Sequence, residues 1–344
     1  MLFRNLAITI TSVLALTACA TVNDTATEPQ APAPASSDSS ASVTNGIERY
    51  MMQRAHVESV GFRLRRAAAS ECQALGKARP DLGIVVWSLV NFPNAEDQQR
   101  LKNAYGLTDS VTVAIAVDSA PAARAGLKHA DIIASVNGQP VAAGAGSTER
   151  FISVSNLAAK QGPVTLGLAS GRSLTIQPDL ICEYPALLVR SPETNAAADG
   201  VAIAITTGLF QAARSDDELA LILGHELAHN TLGHMSADAG TSARSGKLLD
   251  ALFRSSISTA LTGQTNAPYS PAKEKEADYQ GLYFMARAGF SVAAAETMWT
   301  RLNKTPGAAN LTLTHPSGPE RQAALKHAAE EIRAKQKAGS PLVP

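Results

Sequence analysis

Two histidines and a glutamate fall within five consecutive residues, His225-Glu226-Leu227-Ala228-His229. Residues four apart share one face of an α-helix, so His225 and His229 can direct their ring nitrogens at a single cation. Glu226 lies about 100° further round the helix, where its carboxylate can reach a water molecule on that cation without binding the metal. This is the arrangement of a zinc hydrolase, although so short a pattern also occurs by chance on ordinary helices.

A catalytic zinc site needs a third protein ligand, and the sequence offers two candidates. His234 follows closely, but its spacing is one residue short of the metzincin pattern, and we expect it at the helix end or on the surface. Glu274, about 45 residues after His229, is the better candidate. Asp278 lies four residues further on the same face and can accept the second ring N–H of a zinc-bound histidine. We expect Glu276 to point into solvent. Taken alone, this run is also typical of an ordinary charged helix.

Capping signals predict the two helices that carry these side chains. Ser215 and Glu218 form a capping box, which predicts that the first helix begins there. Ser270 as N-cap and Pro271 at the first helical position predict the start of the second helix. Residues 199–210 predict a half-buried strand before the first helix, and we expect this strand to pair with an extended substrate.

The pair of motifs GHELAH and EKEAD resembles the gluzincin metallopeptidases that include the CAAX prenyl protease, HtpX and the periplasmic enzyme BepA. The similarity covers roughly residues 182–338 and extends to Thr314-His315-Pro316 and to Arg321 six residues after that histidine. It implies a zinc endopeptidase with one Zn²⁺ per chain. The implied zinc ligands are His225, His229 and Glu274, Glu226 is the implied general base, and Asp278 orients a ligand. We expect His315 and Arg321 to stabilise the oxyanion, or His315 to act as a fourth zinc ligand that keeps the enzyme latent.

The first residues predict an exported lipoprotein. Residues 1–18 combine Arg4 with an apolar run too short to span a membrane comfortably, which is typical of a signal peptide. The sequence Leu16-Thr17-Ala18-Cys19 resembles the bacterial lipobox, which implies that Cys19 is lipidated and that the protein faces the periplasm, on the outer membrane's inner leaflet. A plain secretory signal is the alternative. Residues 19–45 are rich in Thr, Pro, Ala and Ser and predict a disordered tether.

The chain has three cysteines, an odd number for an exported protein. If Cys19 carries lipid, Cys72 and Cys182 remain in an oxidising compartment, and we expect them to form a disulfide. The alternative is two separate buried thiols.

Residues 79–180 contain short β-branched runs with turn signals, including Asn137-Gly138 as a hairpin turn. Residues 119–138 resemble the PDZ domains of bacterial HtrA proteases, with Ala130 where that family has glycine. The resemblance implies that Leu82, Gly83 and Ile84 bind a peptide's C-terminal carboxylate. It also implies that residues 148–160 form the groove helix. A β module used only for packing is the alternative.

The domain plan follows from these segments. We expect a PDZ-like domain (79–180) inserted between an N-terminal helix (46–78) and the main metallopeptidase domain (181–338), with a short tail at 339–344. The expected fold class is α+β: a mainly helical zincin domain with a small sheet, and a β-rich second domain.

Thirty basic and thirty acidic side chains give no net charge and form no basic cluster, which argues against nucleic acid as a partner. We therefore expect a zinc endopeptidase of the bacterial envelope that cleaves misfolded or unassembled proteins, anchored to the membrane through its lipid. The alternative is a latent or non-catalytic zinc-bound chaperone or adaptor that binds protein termini. The oligomeric state stays open.

Overall fold

The computed structural model describes residues 38–234, 270–302, 304, 315 and 318–344, with side chains described from residue 46 onward. Within it, Ser40–Pro344 form one compact unit. The predicted signal peptide and Cys19 lie outside the described residues. None of the described helices has the length and apolar character needed to cross a membrane.

Two helices open the described chain. Helix α1 spans Asp38–Ala67 and helix α2 spans Ala69–Ala74. Helix α1 therefore starts eight residues before the predicted position 46, within the stretch predicted as tether, because no proline or glycine between Asp38 and Asn45 stops it. Cys72 of α2 forms a disulfide with Cys182, and their Cα atoms are 5.3 Å apart.

The β-rich region begins and ends with two paired strands. Strand β1 (Ala78–Asp81) runs antiparallel to β8 (Asp179–Cys182), with Ala78 opposite Cys182. The disulfide fastens the same end of β8 to α2. The two ends of residues 78–182 are therefore held side by side next to the first helices.

Inside this region, β2 (Ile84–Trp87) pairs antiparallel with β3 (Thr112–Ala116). A second, antiparallel sheet has the strand order β5-β4-β6-β7. Its strands are β4 (Ile133–Val136), β5 (Gln139–Pro140), β6 (Val164–Leu168) and β7 (Ser173–Ile176). The helices are α3 (Ala95–Tyr105), α4 (Pro121–Arg124) and α5 (Ser147–Gln161), with a 3₁₀ turn at Leu89–Asn91. This region has an apolar core of its own, which includes Val113, Ile133, Phe151 and Leu166.

The hairpin turn predicted between β4 and β5 is confirmed. Asn137 and Gly138 both have positive φ, at 49° and 79°, as a two-residue hairpin turn of the favoured type requires. Ala130, which stands where the resemblance expects glycine, also has a positive φ of 66°. An alanine in this left-handed region is strained because its Cβ crowds the backbone.

The second half of the chain packs helices against a three-stranded sheet with the order β10-β11-β9. The strands are β9 (Ala186–Val189), β10 (Ala196–Ala198) and β11 (Ile203–Thr206). The helices are α6 (Thr207–Ala212), α7 (Asp216–Thr231), α8 (Pro271–Arg287), α9 (Met298–Leu302) and α10 (Pro319–Ala338), with a 3₁₀ turn at Val292–Glu296. The architecture as a whole is α+β, as predicted.

One expectation for this sheet is wrong. Strand β11 is paired on both sides, parallel to β9 and antiparallel to β10, so it has no free edge for an extended substrate. All four of its residues are buried, so it is not half-buried either. Its alternation of large Ile and small Ala side chains reflects two covered faces, since a solvent-facing row would be polar.

Helices α7 and α8 cross at two glycines. A Cβ atom added to Gly281 would lie 2.9 Å from the carbonyl carbon of Gly224 and 2.9 Å from the backbone nitrogen of His225. The backbones therefore approach more closely than any side chain at this point would permit. The crossing sets the distance between the two predicted metal-binding motifs.

Candidate metal centre and active site

Both helices of the site begin where the capping signals predict. Ser215 is the N-cap of α7 and its Oγ accepts a hydrogen bond from the backbone N–H of Glu218. The other half of the predicted capping box differs, because Glu218 Oε2 accepts from the N–H of Arg214. Ser270 is the N-cap of α8 with Pro271 in the first turn. These starts fix which residues of each helix face the crossing.

The structure brings the three predicted zinc ligands together in the interior. His225 Nε2 lies 3.0 Å from His229 Nε2. The Glu274 carboxylate lies 3.6 Å from His225 Nε2 and 3.3 Å from His229 Nε2. At most 1% of each of these three residues is exposed. The carboxylate and the two rings therefore share one small buried space.

His315 joins this cluster. Its Nδ1 lies 3.2 Å from His225 Nε2 and 3.2 Å from Glu274 Oε1. One donor atom from each of His225, His229, Glu274 and His315 lies within 4.8 Å of the other three. His225 and His315 are 90 residues apart in the chain, so no local pattern predicts their contact. A role for His315 was predicted only through the family resemblance.

The four donors suit a zinc ion. Ligands at about 2.0–2.1 Å from a tetrahedral zinc lie about 3.3 Å from one another, and imidazole and carboxylate are ligands that zinc prefers. The three separations among His225, His229 and Glu274 are 3.0–3.6 Å, which brackets that value, and His315 lies 3.2 Å from His225 and from Glu274. Burial lowers the pKa of His229 well below its ordinary value, so this ring is neutral near pH 7 and can donate a lone pair to a metal.

Glu226 has the position expected of a general base. Its Oε1 lies 3.3 Å from His315 Nε2. Its Oε2 is buried and has no hydrogen-bond partner among the described residues. Burial raises the pKa of Glu226, although His315 and His225 act in the opposite direction. A buried carboxylate oxygen without a partner is costly, so it marks a place where another polar group belongs.

Asp278 contacts His225 and Arg321 contacts Glu274, so these two residues position the predicted ligands. Asp278 Oδ1 lies 2.8 Å from His225 Nδ1, the ring nitrogen that faces away from the cluster. Arg321 donates Nε and Nη2 to the two oxygens of Asp278 at 2.6 and 2.9 Å. Its Nη1 lies 2.7 Å from Glu274 Oε2. These contacts are those of a residue that positions two carboxylates, and the oxyanion role expected for Arg321 stays a prediction.

His234 lies just past the end of α7, which is one of the two positions expected for it. It is 5% exposed, so it is not a surface histidine, and its Nδ1 lies 2.9 Å from His229 Nδ1. The Glu276 side chain is 62% exposed, as expected, and its Oε2 lies 3.1 Å from His234 Nε2. The chain turns back here because Gly233, with a φ of 69°, ends α7 in the way that glycine commonly does.

Trp299 is a site residue that the sequence reasoning missed. Its ring meets the His225 ring edge-on at 5.7 Å between centroids. The guanidinium of Arg321 lies 4.7 Å over the same indole. Nothing in the local sequence around Trp299 indicates this contact, since it depends on how α9 packs against the crossing helices.

Asn230 is a second residue that was missed. It ties the turn between β10 and β11 to α7, accepting from Gly200 N–H at 2.8 Å and donating to the Ala202 carbonyl at 3.0 Å. This fixes the small sheet against the helix that carries both histidines. An asparagine at the end of a helix that also carries HExxH was the available signal.

The predicted peptide-binding residues lie away from this cluster. Leu82, Gly83 and Ile84 line a separate cavity beside α1 and α5. The Gly83 N–H, expected to bind a peptide carboxylate, instead donates to Asp81 Oδ1 at 2.8 Å. One backbone N–H of the predicted carboxylate-binding loop therefore already donates a hydrogen bond within the chain.

Comparison with known proteins finds similarity in the second half of the chain. Residues 175–329 match the family model described as Peptidase family M48. Mitochondrial metalloendopeptidase OMA1 of Schizosaccharomyces pombe is 32% identical over 148 residues, which are 39% of this chain and 43% of that protein. Metalloprotease LoiP of Escherichia coli is 26% identical over 169 residues, which are 46% of this chain and 65% of that protein.

A Vibrio cholerae relative, whose name includes beta-barrel assembly-enhancing protease, is 31% identical over 42% of this chain and 34% of its own length. The chain thus covers less than two thirds of each of these three relatives. Among solved structures, an HtrA3 PDZ domain bound to a phage-derived ligand covers 30% of this chain and 89% of that chain at 20% identity, with a TM-score of 0.23. So low a score does not define a shared fold, and the PDZ-like character of residues 79–180 stays a prediction.

The matched segment contains all four donors of the buried cluster, so the similarity to Peptidase family M48 covers the whole candidate metal centre.

Proposed function

We propose that this chain is a zinc-dependent endopeptidase whose ligands are His225, His229 and Glu274. One observation carries the proposal: a buried carboxylate oxygen of Glu226 has no hydrogen-bond partner within the described part of the chain and lies beside a donor cluster that fits zinc. The family match and the metalloendopeptidase names of the relatives support the same activity. A structural zinc site would need no such carboxylate.

A zinc ion held there supplies Lewis acidity, which makes water a nucleophile near neutral pH. Glu226 accepts a proton from the attacking water at Oε2 and delivers it to the amine nitrogen of the leaving peptide fragment. The raised pKa of Glu226 suits both halves of this transfer, since the proton must be taken up and then released. Asp278 keeps His225 in the tautomer that presents Nε2 to the metal.

The Glu226→Gln variant tests this directly. It keeps the shape of the side chain and removes the base, so we expect casein cleavage to fall about 10²- to 10⁴-fold while bound zinc stays near one ion per chain. Glu320→Gln is the matched control, because Glu320 is 87% exposed in the same domain. Equal cleavage by both variants, or unchanged cleavage in chelator, would refute the proposal.

A latent state is the second candidate, and His315 favours it. Its Nδ1 stands as close to Glu274 as the other ligands do, and four protein donors leave no open position on a tetrahedral zinc. His315→Ala separates the two roles. Higher casein cleavage in this variant indicates latency, whereas lower cleavage with unchanged zinc content indicates that His315 assists the reaction through Glu226.

We also propose that the protein works in the bacterial envelope on misfolded or unassembled proteins. The lipobox-like sequence before Cys19 and the disulfide between Cys72 and Cys182 support an exported location, because structural disulfides persist in oxidising compartments. Residues 79–180 would serve as a PDZ-like domain that binds protein termini. Labelling with a radioactive fatty acid, with Cys19→Ser as control, tests the anchor.

A further inference from the structure

A cavity of about 270 Å³ lies between helix α1, the loop at residues 81–84, helix α5 and the start of β9. It is remote in the chain from the four metal donors and shares no residue with them. Its polar side is formed by charged residues of α1 and of the β1 segment. Its apolar side is formed by residues such as Phe151 and Ile152 of α5.

The charged side chains that line this cavity have a net positive charge. Arg54 pairs with Glu58 at 2.7 Å, and Arg79 pairs with Asp81 at 2.6 Å. Arg65 is the fifth charged side chain in the wall, and it has no carboxylate partner among the described residues. The lining therefore carries one unmatched positive charge.

An unmatched positive charge is unusual at Arg65 because only 8% of this residue is exposed. Its Nε donates to the carbonyl of Cys182 at 2.9 Å. Its Nη2 is buried and makes no hydrogen bond within the described part of the chain. Burial lowers the pKa of Arg65 to about 10, although the nearby charges of Asp81, Glu58 and Glu183 act in the opposite direction.

The loop beside Arg65 cannot supply the whole anion site by itself. Asp81 already accepts the Gly83 N–H with one oxygen and binds Arg79 with the other. An incoming carboxylate at that N–H would displace Asp81 and meet its negative charge. Arg65 is the group in this wall that still has a positive charge and a free donor to offer.

The backbone next to Arg65 is suited to an extended chain. Strand β2 pairs with β3 on one side, and within the described residues its other edge has no strand partner, while Ile84 and Val85 line the cavity. An extended peptide can add to such an edge through backbone hydrogen bonds. Ile152, which is 48% exposed, offers apolar contact to the peptide's side chains across the cavity.

We propose that this cavity binds the free C-terminal end of an extended polypeptide, with Arg65 as the group that binds the terminal carboxylate. The proposal deepens the terminus binding suggested for residues 79–180, and it moves the anion contact from that region to helix α1. It is independent of peptide hydrolysis. A bound terminus would therefore contact α1, whose Arg65 also donates to the carbonyl of Cys182 at the end of β8.

The test uses fluorescence anisotropy with the full-length Glu226→Gln variant, so that no peptide is cleaved. The probe is a labelled heptapeptide of Gly and Ser ending in Phe-Val with a free carboxylate. We expect its C-terminal amide to bind about tenfold or more weakly, as the loss of a charge-assisted hydrogen bond predicts. An amidated peptide with Asp as its last residue shows whether a side-chain carboxylate serves as well, which would overturn the assignment to a chain terminus.

Arg65→Gln should remove the difference between the acid and the amide, while Arg54→Gln, in the same wall but already paired, should preserve it. The proposal is overturned if the protein with Arg65 in place binds the acid and the amide equally. It is also overturned if the difference in affinity between acid and amide persists in Arg65→Gln. Because Arg65 is buried, a second pair of variants uses exposed positions of α5. Ile152→Asp adds a negative charge at the cavity and should weaken the acid more than the amide, whereas Leu157→Asp, 61% exposed and outside the lining, should change neither.

Discussion

Arg321 and Asp278 form a buried two-point ion pair, with Nε and Nη2 donating to the two carboxylate oxygens at 2.6 and 2.9 Å. The third donor group of Arg321 reaches Glu274. One guanidinium thus orients a proposed zinc ligand and also the carboxylate that binds His225. Burial would raise the pKa of Asp278, but Arg321 outweighs it and lowers that pKa, so the carboxylate stays charged and keeps its contact to the imidazole.

The Arg321→Lys variant should therefore bind zinc about 10- to 100-fold more weakly, because a lysine cannot make the two parallel bonds. Arg321→Met should also unfold more readily, by about 3–5 kcal/mol, since it leaves two buried carboxylates without their cation. Competition with a chromophoric chelator measures the first effect and urea unfolding of the apo protein the second. Lys275→Met is the control, because Lys275 is partly exposed and pairs with an exposed Glu320. Wild-type zinc affinity in Arg321→Lys would mean that Arg321 does not position the ligands.

The glycine crossing gives a second prediction. In Gly281→Ala the new Cβ would meet backbone atoms of Gly224 and His225 at 2.9 Å, and a backbone cannot rotate away as the end of a side chain can. Helices α7 and α8 must then move apart, which separates Glu274 from His225 and His229. We expect a loss of about 1–3 kcal/mol in unfolding free energy together with weaker zinc binding. Gly318→Ala is the control because nothing lies within 4 Å of its Cβ position; equal effects of the two changes would argue against the crossing as a spacer.

The parts of the site that the sequence predicted lie on regular helices. His225, Glu226 and His229 share α7, and Glu274 and Asp278 share α8, so helical geometry alone fixes which of them face together. His315 lies outside these two helices, and it was reached only through a family resemblance. Trp299 depends on the packing of α9, which no local pattern encodes.

His234 was expected at the helix end or on the surface, and the structure selects the helix end. A continuous helix would have carried this residue away from the site, but Gly233 stops α7 and the N–H of His234 bonds back to the carbonyl of His229. A glycine just after the last helical residue is the usual sequence signal for this reversal. The sequence therefore contained the signal for a helix end at His234, but no signal that its ring contacts His229. Strand β11 was misread because a pattern of large and small apolar residues does not distinguish an edge strand from a central one.

His234 itself leads to a third prediction. It lies between His229 Nδ1 and Glu276 Oε2, at 2.9 and 3.1 Å, so it fixes the tautomer that presents His229 Nε2 to the metal. His234→Phe keeps an aromatic ring of similar size but cannot accept the bond, and zinc affinity should fall about 10- to 100-fold. Glu276→Gln should fall much less, because that side chain is 62% exposed and can be replaced by water. A zinc titration in which His234→Phe matches the wild type would show that the contact has no orienting role.

The fourth prediction concerns acid stability and the contact between α8 and α10. The Lys335 ammonium and the Tyr283 hydroxyl bind the Glu331 carboxylate and lower the pKa of Glu331 to about 2. A carboxyl group whose pKa is lower in the folded state stabilises the fold above its unfolded pKa, and this stability is lost as the pH falls through the folded value. The contribution of Glu331 should therefore be present above about pH 4.5 and fade between about pH 4.5 and 2. Thermal unfolding of the apo protein across this range should show a shallower pH dependence in Glu331→Gln than in the wild type. Glu330→Gln, one position along the same helix, should keep the wild-type dependence, and parallel curves for Glu331→Gln and the wild type would contradict the assignment.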